Sequence, residues 1–153
     1  MPNLGSARDA FASKVIYSLH KRDETARSLG IIIEAAGMGW CKIKMLVRDD
    51  MVNGHALAHG GFIFTLADIA MAYASNGENN QTLAQHCQIT FISPGKRGEE
   101  LTANASEISK TGRSGLYDIQ ITGQDGRLVA AFRGATRTVK GQTDPLLGEA
   151  PKS

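Results

Sequence analysis

The 153-residue sequence predicts an α+β fold in which a twisted antiparallel sheet wraps around one long apolar helix. Three observations predict it. A run of fifteen residues, Gly60 to Ala74, is apolar nearly all round, and a helix without a polar face is one enclosed by the rest of the protein. Four strand-like segments follow in quick succession with only turns between them, and two more precede the run.

Taken in order, Phe11, Val15, Ile16 and Leu19 recur at three- and four-residue spacing among charges, which predicts an amphipathic helix over 7–29 that ends near Gly30. Residues 30–36 are rich in isoleucine and 40–47 alternate in polarity, with Gly37-Met38-Gly39 as the hairpin turn between two strands. A loop containing Asp49, Asp50, Asn53 and Gly54 leads to His59-Gly60-Gly61 and the apolar helix, which at about 1.5 Å per residue spans a small sheet. Strands are expected over 82–93, 101–110, 116–122 and 127–138. The turns between them are Pro94-Gly95-Lys96-Arg97-Gly98, Thr111-Gly112-Arg113-Ser114-Gly115 and Asp125-Gly126. Such short connections imply that the four strands form an antiparallel meander. From about residue 140 the chain becomes polar and aperiodic, with Pro145 and Pro151, and a flexible tail over 140–153 is expected. The order helix, two strands, buried helix, four strands is that of a single hotdog domain with its core over about 30–139.

Composition narrows the function. A net charge of +2, with basic residues scattered among 15 acidic ones, lacks the electrostatic footprint of a nucleic-acid binder. No stretch is long and apolar enough for a membrane span or a signal peptide, so a cytoplasmic protein is expected. Cys41 and Cys87 show no CxxC spacing, which argues against a disulfide framework or a zinc knuckle. His55 and His59 are four apart but lie on a loop between glycines, without an evident third ligand, so no metal site is expected.

Asp68 is the residue that asks for a function. It sits mid-way along the apolar helix with Phe64, Thr65, Met71 and Ala72 three and four residues away, and none of these neutralises a carboxylate. A buried, isolated acid is costly or has its pKa displaced upward, and persists where chemistry needs it or where a basic partner arrives from elsewhere in the fold. Gly60 and Gly61 at the helix N-terminus either permit a tight loop-to-helix turn or leave backbone N–H groups open to a substrate oxygen, where the helix dipole would help stabilise an oxyanion. Eight residues of helix separate Gly60 from Asp68 by about 12 Å, whereas both would have to lie about 3 Å from one carbonyl. One helix cannot supply both groups. Two helices side by side and antiparallel could, which implies a two-fold dimer with shared sites.

The run Asn53-Gly54-His55-Ala56-Leu57-Ala58-His59-Gly60-Gly61, with Phe64, Leu66-Ala67-Asp68 and Ala72-Tyr73-Ala74, resembles the PaaI-type phenylacetyl-CoA thioesterases of the hotdog superfamily. Phe91-Ile92-Ser93-Pro94-Gly95, Gly115-Leu116-Tyr117-Asp118-Ile119 and Ala131-Phe132-Arg133-Gly134 extend the resemblance over roughly 22–138, while the tail beyond Val139 has no match. The resemblance implies hydrolysis of an aryl-acetyl thioester of coenzyme A without a cofactor. Asp68 would be nucleophile or base, Gly60 the oxyanion donor, Asn53 and His59 the loop residues that hold the reacting groups, and the assembly a dimer of dimers. Lys96, Arg97, Lys110 and Arg113 fall in two turns that could lie side by side at one end of the sheet and, with Gly61, meet coenzyme A; for any single one, a solvated turn charge is the plainer reading. Two rival functions are a hotdog hydratase or dehydratase, for which no Gly-His-Phe-Pro type segment is present, and a non-catalytic acyl-CoA sensor, which would not need a buried acid.

Overall fold

A computed structural model describes residues 5–153. The elements are α1 (Ala7–Arg22), α2 (Glu24–Ser28), β1 (Ile32–Gly37), β2 (Trp40–Leu46), a 3-10 turn (Asp49–Met51), α3 (Gly60–Asn76), β3 (Asn80–Phe91), β4 (Glu100–Thr111), β5 (Ser114–Thr122) and β6 (Leu128–Gln142). All strand pairings are antiparallel, and the sheet order is β1-β2-β4-β5-β6-β3.

The helix expected over 7–29 is two helices. Asp23 breaks it, because its side chain accepts from the Ala26 N–H at 3.0 Å and so caps a new helix. Gly30, at φ +68, then turns the chain into β1. The meander is also smaller than expected. Only β4, β5 and β6 follow one another by hairpins; β3 pairs with β6, on the far side of it, and β4 pairs with β2. The Pro94 to Gly98 segment is therefore no hairpin turn but part of a crossover along the end of the sheet, tied by Ile92 N–H to Val129 O at 2.8 Å and Gly98 N–H to Val47 O at 2.8 Å.

The core lies between α3 and the sheet. Leu66, Ala70, Met71 and Tyr73 of α3 meet inward residues of the strands such as Ile43, Ala103, Ile119 and Phe132, which alternate with exposed ones as the pleat requires. Gly134 marks the closest approach, since a Cβ there would overlap the Met71 sulfur. The two sheet edges differ. β1 is short, irregular between Ile33 and Ala35, and carries Glu34 in ion pairs with Lys42 at 3.0 Å and Lys44 at 3.2 Å. β3 is twelve residues long, with Leu83 and Phe91 each half exposed.

The expected boundary near residue 139 falls later, and the segment that follows is tied back to the body of the fold. β6 runs on to Gln142, and Asn79 clips the segment after it: its Nδ2 donates to Asp144 O at 2.8 Å and Gly148 O at 2.7 Å, and its Oδ1 accepts from Asp144 N–H at 2.7 Å. Among the described residues no helix is long and apolar enough to cross a membrane.

Candidate active site

The loop before α3 is shaped by Asn53, whose Oδ1 accepts from His55 N–H at 2.9 Å and Leu57 N–H at 3.2 Å. Bridges from Val52 to Ala58 and from Leu57 to Lys96 fasten the loop to the crossover. His59 is the N-cap of α3, yet its side chain makes no capping bond; its carbonyl instead accepts from Phe62 and Ile63 N–H. The Gly60 and Gly61 amides donate to no described residue, so α3 begins with two free N–H groups at the positive end of its dipole. A Cβ at Gly60 would come within 3.0 Å of the Phe91 ring, so a larger residue there would have to push the ring aside by a few tenths of an ångström. Beside these amides is a cavity of about 370 Å³ lined by Asn53, Leu57, Gly60, Ile63, Phe91 and Gly95.

α3 runs antiparallel to β3. Gly60 faces Phe91 at one end, and at the other Asn76 exchanges hydrogen bonds with Thr82, both at 3.1 Å. The stripe Gly60, Phe64, Asp68, Ala72, Asn76 thus follows the edge strand, with Phe64 against Phe132 at 5.3 Å between ring centroids. Asp68 comes beside Cys87 of β3. Burial, and then the nearby Asp23 charge, push its carboxyl above the usual range, and burial followed by the Asp68 charge does the same to the Cys87 thiol. Both causes acting on Asp68 are upward, and among the described residues no basic side chain counters them.

The expected site residues are thus brought only partly together. Asn53 and Gly60 share a cavity; Gly61 and His59 adjoin it, exposed, without lining it. Lys96 and Arg97 lie next to the same loop through the Leu57 bridge, with Arg97 3.5 Å from Asp49. Lys110 and Arg113 do not join them. The two turns flank opposite ends of the twelve-residue β4, about 36 Å apart at strand spacing, and Lys110 is ion-paired to Glu78. That correction follows from β4 being one uninterrupted strand. Asp23 escapes a reading of the sequence because it looks like one more charge on the polar face of a helix, although an Asp followed by Glu24 carries a capping signal.

Comparison with known proteins supplies the class that this geometry serves: the thioesterase superfamily model matches residues 55–130. The chain is 38% identical over 134 residues to the acyl-coenzyme A thioesterase PaaI of Escherichia coli K12, covering 88% of this chain and 94% of that one. It is 30% identical to a putative esterase of Archaeoglobus fulgidus, with 83% and 82% covered. The solved structure of E. coli PaaI, from the phenylacetic acid degradation operon, superposes with a TM-score of 0.87 at 36% identity, covering 88% of this chain and 98% of that one. A mutant of PaaI from Thermus thermophilus gives 0.73 at 31% identity, with 76% and 100% covered. The chain belongs to the PaaI-type acyl-CoA thioesterases of the hotdog fold, and it is a thioester hydrolase.

Proposed function

We propose that this thioesterase hydrolyses phenylacetyl-CoA or a ring-hydroxylated relative, releasing the free acid and coenzyme A, at sites shared between two copies of the chain. The observation that carries the reading is the pairing, on one helix, of free Gly60 and Gly61 amides with an acid that nothing neutralises. The Gly60 N–H polarises the thioester carbonyl and stabilises the oxyanion. Asp68 of the adjoining copy takes a proton from the attacking water or attacks the carbonyl itself; its upward-displaced basicity favours the first route. Asn53, with its Oδ1 committed to the loop, offers its amide N–H groups, and His59 adjoins the carbonyl from the exposed side. Lys96, Arg97 and Gly61 meet the coenzyme A phosphates. The chemistry needs no metal or prosthetic group. A cytoplasmic setting, where the free thiols Cys41 and Cys87 stay reduced, suits it.

The half-exposed apolar residues of the long edge strand β3 support the shared site, because such an edge is ordinarily covered. Two-fold pairing of β3 with its copy sets the two α3 helices antiparallel and side by side, each N-terminus reaching the partner's Asp68. Two such dimers then form the tetramer that the family resemblance implies.

Thiol release from phenylacetyl-CoA, hydroxyphenylacetyl-CoA and straight-chain acyl-CoAs ranks the substrates, and best turnover on a straight chain overturns the aryl assignment. Mixing tests the sharing. Asp68→Asn and Gly60→Pro chains, each inactive alone, regain roughly a quarter of wild-type activity after joint refolding, because half the dimers are mixed and each mixed dimer holds one intact site. No recovery, with mixed dimers present by native mass spectrometry, rules the shared site out.

A further inference from the structure

A second carboxylate overlooks the helix face that carries Asp68. Asp23, at the junction of α1 and α2, lines one cavity with Ala72, and Ala72 is one turn, about 6 Å, beyond Asp68. The Asp23 Oδ1 accepts from Ala26 N–H at 3.0 Å, and its Oδ2 accepts the Tyr73 hydroxyl at 3.1 Å. Tyr73 is wholly buried on α3 and has one proton to give. With that proton spent on Asp23, its oxygen accepts from His20 Nδ1–H at 2.8 Å. Asp23 is thus fixed by α2 at one oxygen and, at the other, by α3 and α1 through a directed chain of hydrogen bonds.

Among the described residues, nothing around Asp68 offsets that charge. Burial holds the His20 imidazole of α1 below its ordinary value against the pull of Asp23, so it supplies no cation. Burial, then the Asp23 charge, push the Tyr73 hydroxyl above its usual range. On β3 the Cys87 thiol is displaced upward as well, so both groups stay neutral. Arg22, the one cation on the cavity, is exposed and gives its guanidinium to Thr143 O at 2.7 Å. Asp68 therefore faces one full charge from α1 and α2, and it is negative.

We infer that Asp23 is a positioning residue for the hydrolysis: fixed by Ala26, Tyr73 and His20, its charge acts on Asp68 and makes that carboxylate a stronger base toward the attacking water. The inference rests on the general-base reading given above. The proton that Asp68 takes as the water oxygen bonds to the carbonyl carbon passes on to the departing coenzyme A thiolate, so Asp68 ends each turnover ionised. At a separation on the order of 10 Å and partial burial, a unit charge displaces a carboxyl by about 0.5–1 pH unit.

Asp23→Asn removes the charge and keeps the shape. Asparagine caps α2 as well as aspartate does, and its amide N–H can meet Tyr73, whose hydroxyl then donates to an unprotonated His20 Nδ1. The test follows kcat/KM against pH for the acyl-CoA that the wild type turns over best, together with the Asp68 carboxyl by carboxyl-carbon NMR of the substrate-free protein. In Asp23→Asn and Asp23→Ser alike, the acid limb and the Asp68 titration should move down by about 0.5–1 pH unit. A weaker base takes a proton less well, so the plateau should fall about two- to threefold, yet below the wild-type limb the variants should match or exceed the wild type. A merely structural loss lowers the whole profile and produces no such crossing. Tyr73→Phe keeps the charge and breaks the chain, so its limb should not fall. An Asp68 titration and an acid limb left in place by both Asp23 variants overturn the inference, as does a Tyr73→Phe limb that falls as far as theirs. An Asp68→Asn protein with wild-type activity sinks the general-base reading instead, while the NMR titration still decides whether the Asp23 charge acts on Asp68.

Discussion

Gly134→Ala probes how closely α3 lies on its sheet. The added Cβ would overlap the Met71 sulfur and come within 3.1 Å of Met71 Cε and 3.2 Å of the Phe132 ring. Met71 is 1% exposed, so although a thioether bends readily, the space it would need is occupied. The sulfur must withdraw by more than about 1 Å, either by crowding its neighbours or by lifting α3, and overpacking of this kind costs about 1–3 kcal/mol. For a chain of this length that is a fall in Tm of roughly 2–12 °C. Met71 is three residues from Asp68, so a lift of α3 carries the carboxylate with it, and a displacement of about 1 Å can cost around a hundredfold in rate. Scanning calorimetry and kcat/KM, measured on a cycle with Met71→Ala, check both parts. On the Met71→Ala background the methyl fills space, and Gly134→Ala should then cost less than about 0.5 kcal/mol. Additive effects, or a Gly134→Ala protein as stable and active as wild type, would refute the claim that this contact seats α3.

Two further predictions concern charge. Asp68→Asn should reduce kcat by about 10²–10⁴-fold without lowering Tm at pH 7. The folded-state pKa of Asp68 lies above its unfolded value, so the ionised carboxylate weighs against the fold. The stability of the asparagine variant relative to wild type should therefore open up as pH rises from about 4 and vanish below it; a gap that is widest in acid would contradict this. Glu99 has the opposite sign. It is buried, hydrogen bonds from Arg127 at 2.6 Å hold its carboxyl below the usual range, and its contribution is present above its unfolded value and lost as pH falls through the folded one. Glu99→Gln should cost about 1–3 kcal/mol at pH 7 in urea titrations, with little difference left in strong acid.

The parts of this fold that sequence reveals are those encoded by neighbours. α3 is legible because its apolar face goes all the way round, and the β4–β5 and β5–β6 hairpins because Gly112 and Gly126, both at positive φ, sit in their turns. The place of β3 in the sheet is not legible, because its partner β6 is some fifty residues away and nothing in residues 80–91 specifies which strand they join. The docked tail depends on Asn79, a single side chain reaching residues 144 and 148, which leaves no periodic trace. The site divides likewise. Asp68 stands out by contrast with its surroundings and Gly60 by motif, whereas Asp23 gains meaning only when α1 and α2 bring it against Tyr73. Lys110 and Arg113 fail as a pair with Lys96 and Arg97 for a geometric reason, the length of β4.

The unlike edges of the sheet govern how far assembly can proceed. A strand edge is a template, and a molecule with two receptive edges can add copies without end. Here Glu34, bracketed by Lys42 and Lys44, and the shortness of β1 blunt one side, which leaves the longer β3 as the receptive one. A building block with a single receptive side is satisfied by one partner, and the pair that results presents two blunted flanks. The same asymmetry that would join two half-sites into a working one also protects the protein from growing into a fibre.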